Sequence, residues 1–99
     1  MNLEWSALAL ADRETIFDYI ESDSPRAVIS VDERIESSVE NLTRFPEMGR
    51  PGRIEGTREL VVSRTPYIVA YCIRGETIWI LRLLHGAQQW PAEIRENPE

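Results

Sequence analysis

The first 45 positions carry apolar residues with the period of two α-helices. A short strand over Asn2–Trp5 is followed by Ser6, a favourable N-cap residue, and the helix after it is predicted to run to about Ser22. Its apolar residues fall on one side at about 100° per residue; they are Ala9, Leu10, Ile16, Phe17 and Ile20. Arg13 projects into the same stripe, and we interpret it as a side chain at the edge of the stripe whose charge reaches solvent.

A second helix is predicted to begin at Ser24-Pro25, because proline at the first helical position lacks only an N–H that would have no helical partner. Its apolar face is regular and ends before Phe45-Pro46; the residues are Val28, Val31, Ile35, Val39 and Leu42. Two helices of similar length joined by a few residues predict an antiparallel helical hairpin. The outer face of this hairpin is acidic.

After Pro46 the period changes, because glycine and proline interrupt the chain and residues that favour strands follow. The predicted strands are Thr57–Ser63, Tyr67–Arg74 and Thr77–His85. The short links between them indicate an antiparallel meander, and the last strand is apolar on both faces, as is typical of an internal strand. Alternation in this strand places Arg82 on the face of Ile80 and Leu84.

The predicted order β-α-α-β-β-β indicates an α+β fold, with the N-terminal helical hairpin packed on one face of a small, mainly antiparallel sheet. A chain of 99 residues with 42% hydrophobic content fits a single core. We therefore predict one domain over residues 1–91 and a polar C-terminal tail over residues 92–99. The other face of the sheet is left for a ligand, a partner or solvent.

Charge is unevenly distributed along a chain whose net charge is -6. Residues 1–45 contain ten acids against four arginines, whereas residues 46–90 contain four acids against six arginines and the one histidine. All eleven cations are arginine, so no lysine can act as a base or a nucleophile. Arginine suits the bidentate recognition of carboxylate or phosphate, although genomic base composition can also produce such a bias.

Three arginines lie in the stretch GRPGRIEGTREL, residues 49–60. Glycine and proline make this a tight connection that presents Arg50 and Arg53 to solvent. These two side chains either pair with the acidic helices of their own domain or form a docking patch for acidic groups of a partner. Arg58 has a further possibility, an ion pair with a helix residue such as Glu36 or Glu40.

Several classes of protein and site are disfavoured by composition. The single cysteine, Cys72, excludes an internal disulfide, and no cluster of histidine and cysteine suggests a metal site. The glycine-rich segment lacks the Gly-Lys-Ser/Thr end of a phosphate-binding loop, so we expect no cofactor. Glu4 and the absence of a long apolar run argue against a signal peptide or membrane span, and we expect a cytoplasmic protein.

The chain also resembles a known family over residues 2–91. The segments GTRELVVSRTPYIVAYCIRGETIWILRLLHGAQQWP, FPEMGR and WSALALADRETIFDYI together resemble RelE/ParE superfamily toxins of bacterial type II toxin-antitoxin modules. The combination is specific: Arg58-Glu59 opens a strand, and His85 ends the last strand with Trp90-Pro91 after it. The resemblance implies a toxin neutralised by a cognate antitoxin, whose C-terminal segment wraps it and covers its working surface.

Two mechanisms occur among the RelE/ParE superfamily toxins that the chain resembles. One branch cuts messenger RNA inside the ribosome, and the other, typified by ParE, poisons DNA gyrase without being a nuclease. Cleavage through the 2′-hydroxyl needs a base, cations that hold the phosphate, and an acid for the leaving oxygen. Such a set could be assembled from Glu55 or Glu59, Arg58 or Arg64, and His85.

The match to the nuclease branch is incomplete. His85 aligns with a position where those nucleases have a catalytic or phosphate-contacting residue. However, the arginine that RelE-like nucleases place late in a strand falls on Val62 or Ser63, and the tyrosine after the last strand is missing from Gln89-Trp90-Pro91. A net charge of -6 also disfavours docking into ribosomal RNA.

We therefore predict a ParE-like toxin that inhibits growth by poisoning DNA gyrase when it is freed from its antitoxin. The alternatives are a ribosome-dependent mRNA interferase and an inactive toxin retained only as an antitoxin-binding module. Trp90 is predicted either to cover the sheet or to anchor a partner. The candidate residues for binding target or antitoxin are Arg50, Arg53, Arg58, Arg64, Arg82, His85 and Trp90.

Overall fold

The computed structural model describes residues 1–88, 90 and 91. Its elements are β1 (Asn2–Trp5), α1 (Ala7–Asp23), α2 (Pro25–Asn41), β2 (Arg50–Pro51), β3 (Arg58–Val61), β4 (Tyr67–Arg74) and β5 (Thr77–His85). The predicted α+β architecture is confirmed, with two differences: β2 was not predicted, and β3 is shorter than the strand expected over Thr57–Ser63. The tail predicted over residues 92–99 lies outside the described residues.

Serine caps define the helical hairpin. Ser6 Oγ accepts a hydrogen bond from the N–H of Ala9 at 3.0 Å, and Ser24 Oγ accepts one from the N–H of Ala27 at 3.2 Å. Ser24 also closes α1, because its own N–H donates to the carbonyl of Ile20. One residue therefore ends the first helix and begins the second, which forces the chain to reverse direction.

Arg13 joins the two helices, so its interpretation as a solvent-directed side chain was wrong. Its guanidinium donates to both carboxylate oxygens of Asp32, at 2.9 and 3.0 Å, and to Glu36 at 2.7 Å. The guanidinium carbon also lies 5.1 Å from the ring centroid of Trp5. Leu10, another member of the predicted apolar stripe, is exposed.

The five strands form one sheet in the order β1-β5-β4-β3-β2. β1 pairs with β5 in parallel and the other pairs are antiparallel, which places β5 in the interior of the sheet, as predicted. A β-bulge interrupts the β4–β5 pairing: Ala70 pairs with Arg82 and Tyr71 with Ile80, so Leu81 has no partner of its own. Strict alternation along β5 therefore fails at this point.

The sheet has two unlike faces. The main core lies between the helices and one face, which we call the helix face, and it includes Ile35, Val39, Val69, Tyr71 and Ile80. On the opposite surface, which we call the open face, a smaller cluster consists of Ala70, Cys72 and Leu81, with Ile54, Trp79 and Trp90 packed against it. In the part of the chain that the structure describes, no helix is long and apolar enough to cross a membrane.

Candidate macromolecule-docking site

A buried carboxylate on the open face binds two of the arginines that were predicted as site residues. Glu59 pairs with Ala70 across β3 and β4 and is only 3% exposed. Its Oε1 accepts from Arg50 Nη2 at 3.0 Å, and its Oε2 accepts from Arg53 Nε at 3.0 Å and from the Arg53 backbone N–H at 2.8 Å. We call Arg50, Arg53 and Glu59 the arginine–glutamate cluster. Arg50 and Arg53 thus pair within the chain, but with a strand residue and not with the acidic helices.

The cluster is cationic on its outer side. Burial alone would raise the pKa of Glu59, but the hydrogen bonds from Arg53 and Arg50 outweigh it and hold this pKa below its ordinary value. The carboxylate is therefore ionised at neutral pH and neutralises one of the two guanidinium charges. Because the Arg50 and Arg53 side chains are 57% and 44% exposed, the surplus charge faces solvent. Such a surface is suited to carboxylate or phosphate groups of a partner.

Trp90 covers the Arg53 side of the cluster. The Arg53 guanidinium carbon lies 3.6 Å from the Trp90 ring centroid, and the indole packs against the small apolar cluster of the open face. Trp90 Nε1 points to the carbonyl oxygen of His85 at 3.4 Å, which is a long hydrogen bond. Of the two roles expected for Trp90, the structure places it as a cover over the sheet.

Arg58 holds the loop before β2 and lies on the other side of the sheet from Glu59. Its Nη1 donates to the carbonyl oxygens of Gly49 at 2.7 Å and Glu47 at 3.3 Å. Of the possibilities left open for Arg58, the pair with Glu36 or Glu40 is not formed within the described residues, and the guanidinium donates to backbone carbonyls instead.

Arg82 forms an ion pair with a residue of the first helix. Its Nε and Nη2 donate to the two carboxylate oxygens of Asp12 at 2.8 and 3.0 Å, and Asp12 Oδ2 also accepts from the Leu83 backbone N–H at 2.9 Å. This joint sits beside the β-bulge and fastens α1 to β5. Both side chains are largely shielded from solvent, so the arrangement stabilises the fold at this point.

Arg64 and His85 lie at the same end of the sheet, because the β3–β4 turn that contains Arg64 leads into Tyr67, the strand partner of His85. Arg64 lies in the β3–β4 turn with a backbone φ of 63°, a left-handed conformation that is uncommon outside glycine. Within the described residues its side chain makes no hydrogen bond or ion pair, and it is exposed. The His85 ring contacts Tyr67 edge to face at 5.5 Å between centroids, and its Nδ1 accepts from the Ala87 N–H at 3.0 Å.

Two residues of the hypothetical nuclease set, Glu59 and His85, are not brought together. Glu59 pairs with Ala70 on the open face, whereas His85 pairs with Tyr67, whose side chain belongs to the core on the helix face. Two strand spacings and three residues along the strand separate their Cα atoms by about 14 Å. Within residues 1–88, 90 and 91, no group of three His, Cys, Asp or Glu side chains could hold a metal ion.

The sequence did not show that Glu59 would lie between Arg50 and Arg53. The sequence offers it as a possible general base, while the structure shows it as the buried counter-charge of two arginines. This contact depends on the fold-back of the loop over residues 52–57, in which the N–H of Gly52 donates to the carbonyl of Thr57 at 2.8 Å. This fold-back returns Arg53 to the strand that carries Glu59.

The fold and this site together define a small α+β domain with a cationic patch on the open face of its sheet. Comparison with known proteins gives the family: a family model described as "ParE toxin of type II toxin-antitoxin system, parDE" matches residues 3–90. The chain belongs to this family of type II toxins.

Individual relatives agree with this assignment. Two toxin homologues are Y4kP of Sinorhizobium fredii, 44% identical over 89 residues (90% of this chain and 92% of that protein), and RelE2 of Caulobacter vibrioides, 36% identical over 84 residues (85% and 93%). A solved structure titled "Chromosomal ParDE TA system from P. aeruginosa" superposes with a TM-score of 0.80 at 28% identity, covering 86% of this chain and 95% of that one.

Proposed function

We propose that this toxin acts in the cytoplasm as a poison of DNA gyrase and not as a ribonuclease, and that its arginine–glutamate cluster docks carboxylates of the cognate antitoxin. The observation that supports a non-nuclease most strongly is the separation of Glu59 and His85 onto opposite faces of the sheet. A general base and an acid must both reach the same ribose and phosphate, which these two groups cannot do.

The electrostatics of Glu59 also support this proposal. Its carboxylate already accepts hydrogen bonds from Arg50 and Arg53, and its lowered pKa makes it a weak proton acceptor. Tyr67 and Tyr71 offer no replacement, because partial burial of these residues raises the pKa of both phenols and so keeps them neutral.

The antitoxin part of the proposal rests on the surplus charge of the cluster. Carboxylates of an incoming chain would replace water around Arg50 and Arg53 without having to break the bonds to Glu59, because a guanidinium has five N–H donors. Such contacts at a partly exposed site would speed association and set its specificity more than they would raise its affinity.

The test is to express the chain without antitoxin in a bacterial host and to separate the outcomes by macromolecule. We expect cleaved gyrase–DNA complexes, a DNA-damage response, and linear DNA when purified toxin is added to gyrase and supercoiled plasmid. Rapid messenger cleavage that depends on ribosomes would overturn the proposal in favour of an mRNA interferase. Normal growth, with no effect on gyrase, would indicate an inactive toxin retained only to bind its antitoxin.

A further inference from the structure

The arginines that have no carboxylate partner lie in or beside α2. Other arginines of the molecule are paired with acids; these are Arg13, Arg50, Arg53 and Arg82. Within the described residues, four arginine side chains make neither a hydrogen bond nor an ion pair. They are Arg26 and Arg34 in α2, Arg44 shortly after this helix, and Arg64 in the β3–β4 turn.

A polar groove of about 360 Å³ lies between α2 and the β3–β4 turn. Its hydrogen-bonding side chains, which we call the α2 groove, are Ser30, Arg34, Ser37, Ser38 and Asn41 of the helix and Ser63 of the turn. None of these side chains is bonded to another described residue, so the hydroxyls and the amide can donate to a ligand. Arg34 is half-buried, and Arg64 follows Ser63 at the margin of the groove.

The helical period separates this groove from most acids of α2. At about 100° per residue, five residues fall within an arc of about 80° on the helix surface; they are Arg26, Ser30, Arg34, Ser37 and Asn41. Asp32 and Glu36 lie outside this arc and are bound to Arg13. Glu33 lies just beyond its edge and is the one acid among the described residues that line the groove, where Arg34 and Arg64 outweigh its charge.

The donors of the groove suit phosphate better than they suit a protein segment. Arginine, serine and asparagine side chains are groups with which proteins hold nucleic-acid phosphates without reading the base sequence. A protein segment would need apolar contacts at the centre of its interface, and none of the residues that line the groove is apolar. Eight residues of helix place Arg26 and Arg34 about 12 Å apart, a distance over which one strand of duplex DNA carries about three or four phosphates.

We infer that the α2 groove binds the phosphodiester backbone of duplex DNA, with Arg34 at its centre and Arg26 and Arg64 at its margins. This inference rests on the proposed function, because a gyrase poison acts on an enzyme that holds a DNA duplex, and it adds the DNA itself as a partner of the toxin. Since few charges take part, the affinity for free DNA should be weak and should fall as salt is added.

The experiment measures the binding of the purified toxin, without antitoxin, to a short labelled DNA duplex by fluorescence anisotropy at several salt concentrations. Arg34→Gln removes the central cation and should weaken binding about fivefold or more, with a shallower dependence on salt. Ser37→Asp places a carboxylate at an exposed position of the groove and should have a similar effect. Circular dichroism establishes that each variant is folded.

Thr15→Asp is the matched control. It places the same carboxylate at an exposed helical position of α1, outside the groove, and changes the net charge by the same amount as Ser37→Asp. We expect it to bind the duplex as wild type does. An equal loss of affinity in Thr15→Asp would overturn the inference, because the effect would then follow net charge and not the groove.

The remaining outcomes identify a different occupant. Wild-type toxin that shows no saturable binding to the duplex would overturn the inference, as would tighter binding of an RNA duplex of the same sequence. If Arg34→Gln and Ser37→Asp lose affinity for the antitoxin and keep their affinity for DNA, the groove serves the antitoxin and the inference fails.

Gyrase-dependent cleavage of plasmid DNA is measured separately. Both groove variants should need more toxin than wild type to produce linear plasmid. If wild type cleaves with gyrase but does not bind the duplex, this inference fails and the proposed target stands. If wild type binds the duplex through the groove but produces no gyrase-dependent cleavage, the proposed target is contradicted and the phosphate site stands.

Discussion

The guanidinium carbon of Arg53 lies 3.6 Å from the centroid of the Trp90 ring. Arg53 also donates to Glu59 at 3.0 Å, so one side chain links a buried carboxylate in β3 to an aromatic residue beyond the end of β5. The C-terminal end of the described chain therefore contacts the loop before β3 through the cation–π interaction of Arg53 with Trp90, and not through strand pairing.

Trp90→Ala should destabilise the protein by about 1–2 kcal/mol, because it removes a partly desolvated cation–π contact and exposes the apolar cluster beneath. Trp90→Phe keeps an aromatic ring over Arg53 and should lose less than half as much. Urea unfolding followed by far-UV circular dichroism measures both changes. An equal loss in the two variants would show that the indole N–H, and not the ring face, makes the important contact.

The pH dependence of stability should report on Glu59. Its pKa is lower in the folded state than in the unfolded chain, so its contribution is fully present above the ordinary glutamate pKa and is lost as the pH falls through the folded value. Glu59→Gln should cost about 1–3 kcal/mol at pH 7. The free energies of unfolding of wild type and variant should then converge as the pH falls below the ordinary glutamate pKa.

The control for this prediction is Glu14→Gln, an exposed carboxylate on α1. It should change the free energy of unfolding at pH 7 by less than about 0.5 kcal/mol. A Glu59→Gln curve that stays parallel to wild type throughout the acid range in which the protein remains folded would contradict the assignment of Glu59 as the ionised centre of the cluster.

Local signals in the sequence were sufficient for most of the fold. Ser24-Pro25 is a favourable helix start, and the bounds of β4 and β5 follow from apolar runs between turn residues, so the start of α2 and both ends of these two strands were predicted as observed. β2 could not be predicted in this way, since two residues containing a proline carry no periodic signal. Its existence depends on the pairing of Arg50 with Glu59, which is a tertiary contact.

The candidate site was harder to predict for the same reason. The sequence shows that Arg50, Arg53 and Arg58 are cations, but not which acceptor each one meets. Two of them share one carboxylate, while Arg58 bonds to backbone carbonyls. The bulge at Leu81 is a second example, because one unpaired residue reverses the side-chain alternation that a sequence pattern assumes.

The joint between Asp12 and Arg82 should be a stabilising contact. Asp12→Ala removes two charge-assisted hydrogen bonds to Arg82 and leaves the Leu83 N–H without its acceptor, at a cost of about 2–4 kcal/mol. Asp18→Ala, an exposed acid on the same helix, is the matched control and should change stability by less than about 0.5 kcal/mol. Thermal unfolding of the two variants distinguishes them.

Asp12→Asn refines this test, because the amide keeps one oxygen acceptor but loses the charge. We expect it to recover part of the loss by continuing to accept from the Leu83 N–H. If Asp12→Ala is no less stable than Asp18→Ala, the contact contributes nothing to stability and Arg82 is available to a partner.

His85→Ala should leave toxicity intact under the proposed mechanism. The ring packs against Tyr67 and its Nδ1 accepts from the Ala87 N–H, so its removal costs packing and one local hydrogen bond, about 1–2 kcal/mol in total. Growth inhibition after expression without antitoxin, together with gyrase-dependent DNA cleavage by the purified variant, measures the effect. His85→Gln is the companion variant, because its amide oxygen can replace the acceptor but cannot shuttle a proton at neutral pH.

The two variants together separate structure from catalysis. If His85 has only a packing role, toxicity survives in both, and stability is recovered in part by His85→Gln. If the imidazole transfers protons in RNA cleavage, both variants lose toxicity completely while remaining folded and bound to antitoxin. That second pattern would require a phosphate-holding cation near His85 on the helix face, and Glu59 could not act with it, because it is held on the open face by Arg50 and Arg53.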